Sequence, residues 1–232
     1  MRMHSVEESL AAWEANAAFW DANMGENSNE FHRTVVRPRV TQLLQARSGD
    51  LILDIACGNG NYSAFLAEQG AEVVAFDYSP NMISLARKRQ EKNCDRIHFC
   101  VADATKPDQL LSLQKERPYD KAVCNMAIMD LSRADVLFSC VRQLLVQGGS
   151  FVFATQHPCF VTLSPGKYVT SHSYLGEAIA GQPVLQCYYH RSLQELFALC
   201  LDHGFIIDGF YEECYRDPEK PEIVIVRARK EN

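Results

Sequence analysis

Apolar residues at Val6, Leu10, Trp13, Ala17, Trp20 and Met24 recur at steps of four and three, the period of one helix face. The polar run from Asn23 to Asn29 interrupts that stripe, and a second helical face follows through Val36, Val40, Leu43 and Leu44. Beyond Asp50 the pattern changes to continuous apolar runs alternating with helical stripes. Leu51 to Ile55 and Glu72 to Asp77 read as buried strands, and Asn61 to Glu68 as the helix between them, closed by Gly70. Ser79 and Pro80 open the next helix, with Met82, Ile83 and Ala86 facing inward. Further strands are predicted at Ile97 to Val101, Tyr119 to Cys124 and Phe151 to Thr155. Ser132-x-x-Asp135 reads as a capping-box variant opening a helix that Gly148 and Gly149 end, and Ser192-x-x-Glu195 as the cap of a helix ending at Gly204. Phe205 to Tyr211 and Ile223 to Ala228 supply two last strands.

Strands alternating with helices imply an α/β fold, a mostly parallel sheet with helices on both faces. The regular pattern breaks between Gln156 and His190. That stretch holds one acid, Glu177, and one base, Lys167, but four tyrosines, three histidines and Phe160, with Pro158, Pro165 and Pro183 disfavouring helix. It is too aromatic for a disordered linker and reads as a cover over a substrate. The organisation expected is an N-terminal helical lid over residues 1–45 and a main domain over 46–232 carrying the insert 156–190.

The turn after the first strand, Asp54-Ile-Ala-Cys-Gly-Asn-Gly60, is where chemistry is expected. Gly58 and Gly60 permit positive φ and close approach of a ligand to the main chain, and the helix that follows offers unpaired amides. The second strand ends in Asp77, 23 residues beyond Asp54. In a parallel sheet the two strand ends lie side by side, so a carboxylate there can accept hydrogen bonds from both hydroxyls of a ribose.

These residues resemble the cofactor site of the class I S-adenosylmethionine-dependent methyltransferases, in which the first strand ends in an acid followed by x-x-x-Gly-x-Gly and the second in a ribose-binding acid. Asp54, Gly58, Gly60 and Asp77 match, while Asn61 replaces a usual third glycine. The resemblance implies a Rossmann-like seven-stranded sheet in the order 3-2-1-4-5-7-6 with the last inserted strand antiparallel. It implies S-adenosylmethionine as cofactor, S-adenosylhomocysteine as product, and a cofactor site including Ala56 and Asn59 at the turn. Tyr78 and Met82 are expected on the adenine face, Asp103 with Ala104 at the adenine amino group, and Asn125 and Met126 beside the sulfonium. Arg33 or Arg37 would reach the methionine carboxylate. Trp20, His32, His157, Phe160 and Tyr168 would face the acceptor, with His157 or His32 as general base if the acceptor must lose a proton.

Two other functions compete for the same turn. A nicotinamide-dependent oxidoreductase also uses Gly-x-Gly-x-x-small, but Asp54 would repel a pyrophosphate and no Tyr-x-x-x-Lys is present. A non-catalytic S-adenosylmethionine sensor would not need an aromatic insert. Among 232 residues the formal net charge is -6, which provides no basic field for nucleic acid, so a small-molecule or peptide acceptor is expected and the acceptor is open between oxygen, nitrogen and a carboxylate. No run of 18 apolar residues occurs, and Glu7, Glu8, Glu14 and Asp21 are unlike a signal peptide, so a cytoplasmic protein off the membrane is expected, as monomer or homodimer. The nine cysteines are scattered singly without metal spacing, which implies buried thiols and no metal.

Overall fold

The computed structural model describes residues 6–93, 95–162 and 167–231. Pro165, named above, one of the nine cysteines, Cys94, and the first five residues of the expected lid lie outside them. Seven strands form the central sheet: β1 (Leu51–Ile55), β2 (Glu72–Asp77), β3 (Ile97–Val101), β4 (Tyr119–Asn125), β5 (Leu145–Gln156), β8 (Phe205–Cys214) and β9 (Pro221–Lys230). Their order across the sheet is β3-β2-β1-β4-β5-β9-β8, with β9 antiparallel to both neighbours. Counted within the sheet alone this is the expected 3-2-1-4-5-7-6 arrangement. A separate hairpin, β6 (His172–Gly176) with β7 (Gln186–His190), accounts for the difference in numbering.

Strand β1 has all five residues buried, as its unbroken apolar run requires, and its alternate side chains enter two cores. Leu51, Leu53 and Ile55 pack with residues of α5 (Pro107–Leu111), α6 (Ala134–Leu144) and α7 (Leu193–Leu201). Ile52 faces the other layer, where α2 (Arg37–Leu44), α3 (Asn61–Glu68) and α4 (Pro80–Arg89) contribute Val40, Leu66 and Ile83. Phe138 of α6 anchors the first core edge-on against Phe151 and Phe153, with ring centroids at 5.1 and 5.4 Å. In register, Ile55 pairs with Phe76 and Cys124, so β1, β2 and β4 end together at one edge.

Two local expectations are corrected. Ser132 does not cap α6, which starts at Ala134 behind Arg133 without a side-chain cap, because the preceding loop is fixed from elsewhere. The buried guanidinium of Arg191 donates to the carbonyl oxygens of Ile128, Leu131 and Ser132. Gly148 and Gly149 do not end that helix either. It stops at Leu144 and β5 begins at once, with Gly149 packed against the carbonyl of Asp120 where a Cβ would sit at 3.0 Å. The 156–190 insert, where the regular pattern breaks, contains the β6–β7 hairpin. The capping box at Ser192 and Glu195 is complete, each side chain bonding the other's backbone N–H.

The N-terminal stripe forms α1 (Val6–Met24), which packs against α4 and β7. Its most buried positions include two polar ones, Ser9 and Asn16, and Asn16 exchanges hydrogen bonds with both backbone groups of Val184 at 2.7 and 3.0 Å. A π-helical turn (His32–Val36) leads from the polar elbow into α2.

Gly60 sits at φ +76 ahead of α3, and an added Cβ would stand 2.7 Å from the Phe99 ring. Gly60→Ala combines left-handed backbone with overpacking and should lower stability by about 1–3 kcal/mol in urea denaturation.

Candidate active site

At the edge where β1, β2 and β4 end, the sheet opens into a cavity of about 570 Å³ whose other wall is α1 and the elbow. Asp54 is 2% exposed and its Oδ2 accepts from Ser63 Oγ at 2.6 Å. Asp77 accepts from the N–H groups of Gly58 and Ser79, both at 3.0 Å, so the turn glycine and the helix cap orient the second carboxylate. Burial pushes Asp54 up to about 7 and Asp77 up to about 6, against the opposing effect of those hydrogen bonds. Asp103 also lines the cavity, with Oδ1 accepting from Thr105 N at 2.8 Å and Thr105 Oγ1 at 2.7 Å.

Two non-glycine residues of this edge hold left-handed backbone, Ala56 at φ 52 after β1 and Met126 at φ 54 after β4. Such conformations cost about 1–2 kcal/mol each and concentrate where a turn must present itself to a ligand. Asn125, which precedes Met126 at the end of β4 and lines the cavity, has a buried Oδ1 with no hydrogen-bond partner.

The N-terminal segment closes the opposite side. A Cβ placed on Gly58 would stand 3.0 Å from the Trp20 ring, so only glycine lets the indole lie on the turn. Arg89 of α4 grips Asp21 of α1 through two hydrogen bonds, at 2.9 and 2.7 Å. The Asn59 amide donates to Asp21 at 2.9 Å and the Asn61 amide to the Gly25 carbonyl at 2.9 Å. His32 meets Trp20 edge-on at 6.4 Å and gives its Nδ1 proton to Asn29 Oδ1 at 2.9 Å. Burial and the nearby Arg37 hold its pKa down at about 4, so the ring is neutral near pH 7.

Ala56, Gly58, Asn59, Tyr78, Met82 and Ala104 line the cavity together with the residues above, as do Trp20 and His32. Five expected site residues do not. Gly60 is turned away and contacts Phe99, shaping the turn from behind. Arg33 is exposed on the π-helical turn, whereas Arg37 lines the cavity, its guanidinium 2.8 Å from Ser28 Oγ and over the Phe65 ring. His157 is 1% exposed and its two nitrogens are committed within the chain. Nε2 donates to Glu212 at 2.6 Å and Nδ1 accepts from Cys159 N at 3.1 Å, which ties the ring to β8 and locks the end of β5. Phe160 packs on His157 at 4.9 Å and faces solvent. Tyr168 uses its hydroxyl to accept from Leu193 N at 3.0 Å, tying the insert to α7.

The cavity wall also includes Trp13, Tyr188 and Asp130, to which the sequence analysis gave no site role, Asp130 standing five residues beyond Asn125. A carboxylate so close after the fourth strand was the available signal.

Residues 52–149 match the family model described as "Methyltransferase domain". Together with the strand order and the acids at the strand ends, that match supports a class I methyltransferase fold around residues 52–149. Over 69 residues the chain is 44% identical to a demethylmenaquinone methyltransferase of Clavibacter sepedonicus, covering 30% of this chain and 28% of that protein. It is 24% identical over 157 residues to a 23S rRNA (uracil(1939)-C(5))-methyltransferase of Nitrosococcus oceani, covering 67% of this chain and 34% of that one. The chain thus spans about a third or less of the length of these curated relatives. Among solved structures, an S-adenosylmethionine-dependent methyltransferase from Mesorhizobium loti superposes with a TM-score of 0.69 at 24% identity, covering 83% of this chain and 96% of that one, a likeness of fold. Among the described residues no helix is long and apolar enough to cross a membrane.

Two outcomes follow from the geometry of the domain. His157→Ala leaves the part-buried Cys159 amide and the Glu212 contact unmet, so unfolding free energy should fall by about 1–3 kcal/mol while ligand affinity stays within twofold. For Asp54 the native pKa of about 7 lies above that of an unfolded carboxylate, about 4, so the folded state holds a proton that the unfolded chain releases. Its contribution is greatest below pH 4 and is lost as pH rises through 7. Denaturation of the ligand-free protein between pH 5 and 8 should therefore show a decline that flattens in Asp54→Asn.

Proposed function

We propose that this chain transfers the methyl group of S-adenosylmethionine to a nitrogen or oxygen of a small molecule. The observation that carries the reading is the convergence of Asp54, Asp77, Asp103 and Arg37 on one lidded cavity, a donor and acceptor set that suits every polar part of that cofactor. Asp77 would receive the ribose hydroxyls. Asp54 and the unpartnered Asn125 Oδ1 would receive the ammonium of the methionine moiety, Arg37 its carboxylate, and Asp103 the adenine amino group between Tyr78 and Met82.

When bound, the cofactor supplies a methyl group already activated on a cationic sulfur. The protein's share is to position and to exclude water. Trp20 against Gly58 covers the turn, and the Asp21, Asn59 and Arg89 contacts hold the cover in place. Neutral His32 carries its remaining lone pair on Nε2 and would orient a donor on the acceptor. With a pKa near 4 it is a weak base, which favours an acceptor that needs little help losing a proton.

Several curated relatives are 23S rRNA methyltransferases. For this chain the covered cavity and the net charge of -6 support a small acceptor over a polynucleotide. The function is tested by incubating the protein with methyl-labelled S-adenosylmethionine and extract of the source cells. Label is expected in a low-molecular-mass product, and label confined to RNA would contradict the reading. In calorimetry, Asp77→Ala should weaken S-adenosylhomocysteine roughly 10- to 150-fold, through loss of hydrogen bonds to a charged acceptor. Unchanged affinity would remove Asp77 from the site.

A further inference from the structure

Asp130 ends the short 3-10 turn Ile128–Asp130 that follows β4 and belongs to the wall of the cavity. The Trp13 side chain of α1 hydrogen bonds to it, while its Oδ1 is sealed from solvent and has no partner. A buried carboxylate oxygen left unmet costs about 1–3 kcal/mol or more, so the fold retains it at a penalty that a ligand donor would lift.

Three tyrosine hydroxyls near Asp130 are engaged with other groups. Tyr188 gives its hydroxyl proton to Gln186 Oε1 at 2.8 Å, Tyr174 gives its own to Gln156 Oε1 at 2.7 Å, and Tyr78 pairs with Ser9 at 3.1 Å. The loop is also unable to swing toward them, because Arg191 holds its carbonyl groups at Ile128, Leu131 and Ser132. The remaining space beside Asp130 is walled by Trp13, Tyr78, Tyr188 and Ile179, which suits a flat apolar body.

Charge balance narrows the missing donor further. In the reading proposed above, Arg37 is spent on a ligand carboxylate, and Arg216, the other arginine of the wall, is gripped by Glu222 through contacts of 3.0 and 3.1 Å. Glu177 adds a negative charge, so this side of the cavity has no free cation among the described residues for an acidic ligand. Burial, and then the charge of Asp77, raise the Asp130 carboxyl well above the usual range. In the free cavity it holds a proton that an entering amine would take, leaving an ion pair.

We infer that the cavity binds a small, flat, largely apolar molecule through an amine, and that Asp130 is the carboxylate that receives it. The identification of that molecule with the methyl acceptor rests on the proposed function, whereas the amine site itself does not.

The test is a ligand-observed NMR titration with phenethylamine and with phenylacetate, two probes of similar size and opposite charge, on the free protein and on protein saturated with S-adenosylhomocysteine. Phenethylamine should bind at least about 10-fold more tightly than phenylacetate in both states, and Asp130→Asn should weaken it about 10- to 100-fold. S-adenosylhomocysteine affinity should be unchanged in that variant, which reports an intact fold. Equal binding of the two probes, no binding of phenethylamine, its displacement by S-adenosylhomocysteine, or an indifferent Asp130→Asn would each overturn the inference. Failure of S-adenosylhomocysteine to bind the unaltered protein would instead refute the methyltransferase function and leave the amine titration of the free protein to be read on its own.

Discussion

Two buried carboxylates at the ends of adjacent parallel strands set the terms for the whole molecule. Asp54 and Asp77 are almost sealed from solvent, and desolvation raises both. The fold tolerates them through fixed donors: the Ser63 hydroxyl for one, and the amides of Gly58 and Ser79 for the other. Those same donors require the rest. The amide of Gly58 points at Asp77 only if the turn runs through left-handed backbone at Ala56, Gly58 and Gly60, and that turn is held from behind by Phe99 and in front by Trp20. A cluster arranged this way is poised for a ligand rich in donors and positive charge, which would lower the cost the free protein bears.

The N-terminal segment is a working wall of the cavity as well as a packing element. Its contacts with the main domain are mostly polar: Asp21 with Arg89 and Asn59, Gly25 with Asn61, Glu14 with Ser79, and Asn16 with Val184. Partly exposed polar contacts contribute modestly each and exchange readily for water, whereas the sheet is held by two continuous apolar cores. That contrast makes α1 the part best suited to admit and release a ligand while the strand ends stay fixed.

Periodicity alone located nearly every strand and helix, because each buries a whole face and a one-residue slip would expose it. The strand ends with their acids were legible for the same reason: strand lengths place Asp54, Asp77 and Asn125 at one edge without tertiary knowledge. What escaped was decided by single long-range contacts. Nothing local in the sequence tells that Arg191 fixes the loop before α6 in place of a Ser132 cap, or that Glu212 claims His157 from 55 residues away. Arg33 on the π-helical turn is exposed while Arg37, four positions on at the start of α2, lines the cavity, a difference that sequence spacing alone does not decide. Asp130 shows in the sequence only as a carboxylate soon after β4, and tertiary packing places it in the cavity wall with α1 and the hairpin.

The central claim is that the acids at the ends of β1 and β2, under the indole of Trp20, hold S-adenosylmethionine. Both tryptophans of the protein, Trp13 and Trp20, line that cavity, so intrinsic fluorescence reads its occupancy directly. Titration with S-adenosylhomocysteine should change the emission saturably, and NADH should neither saturate the signal nor compete. An emission unaltered by S-adenosylhomocysteine, or a site that NADH fills in its place, would contradict the account.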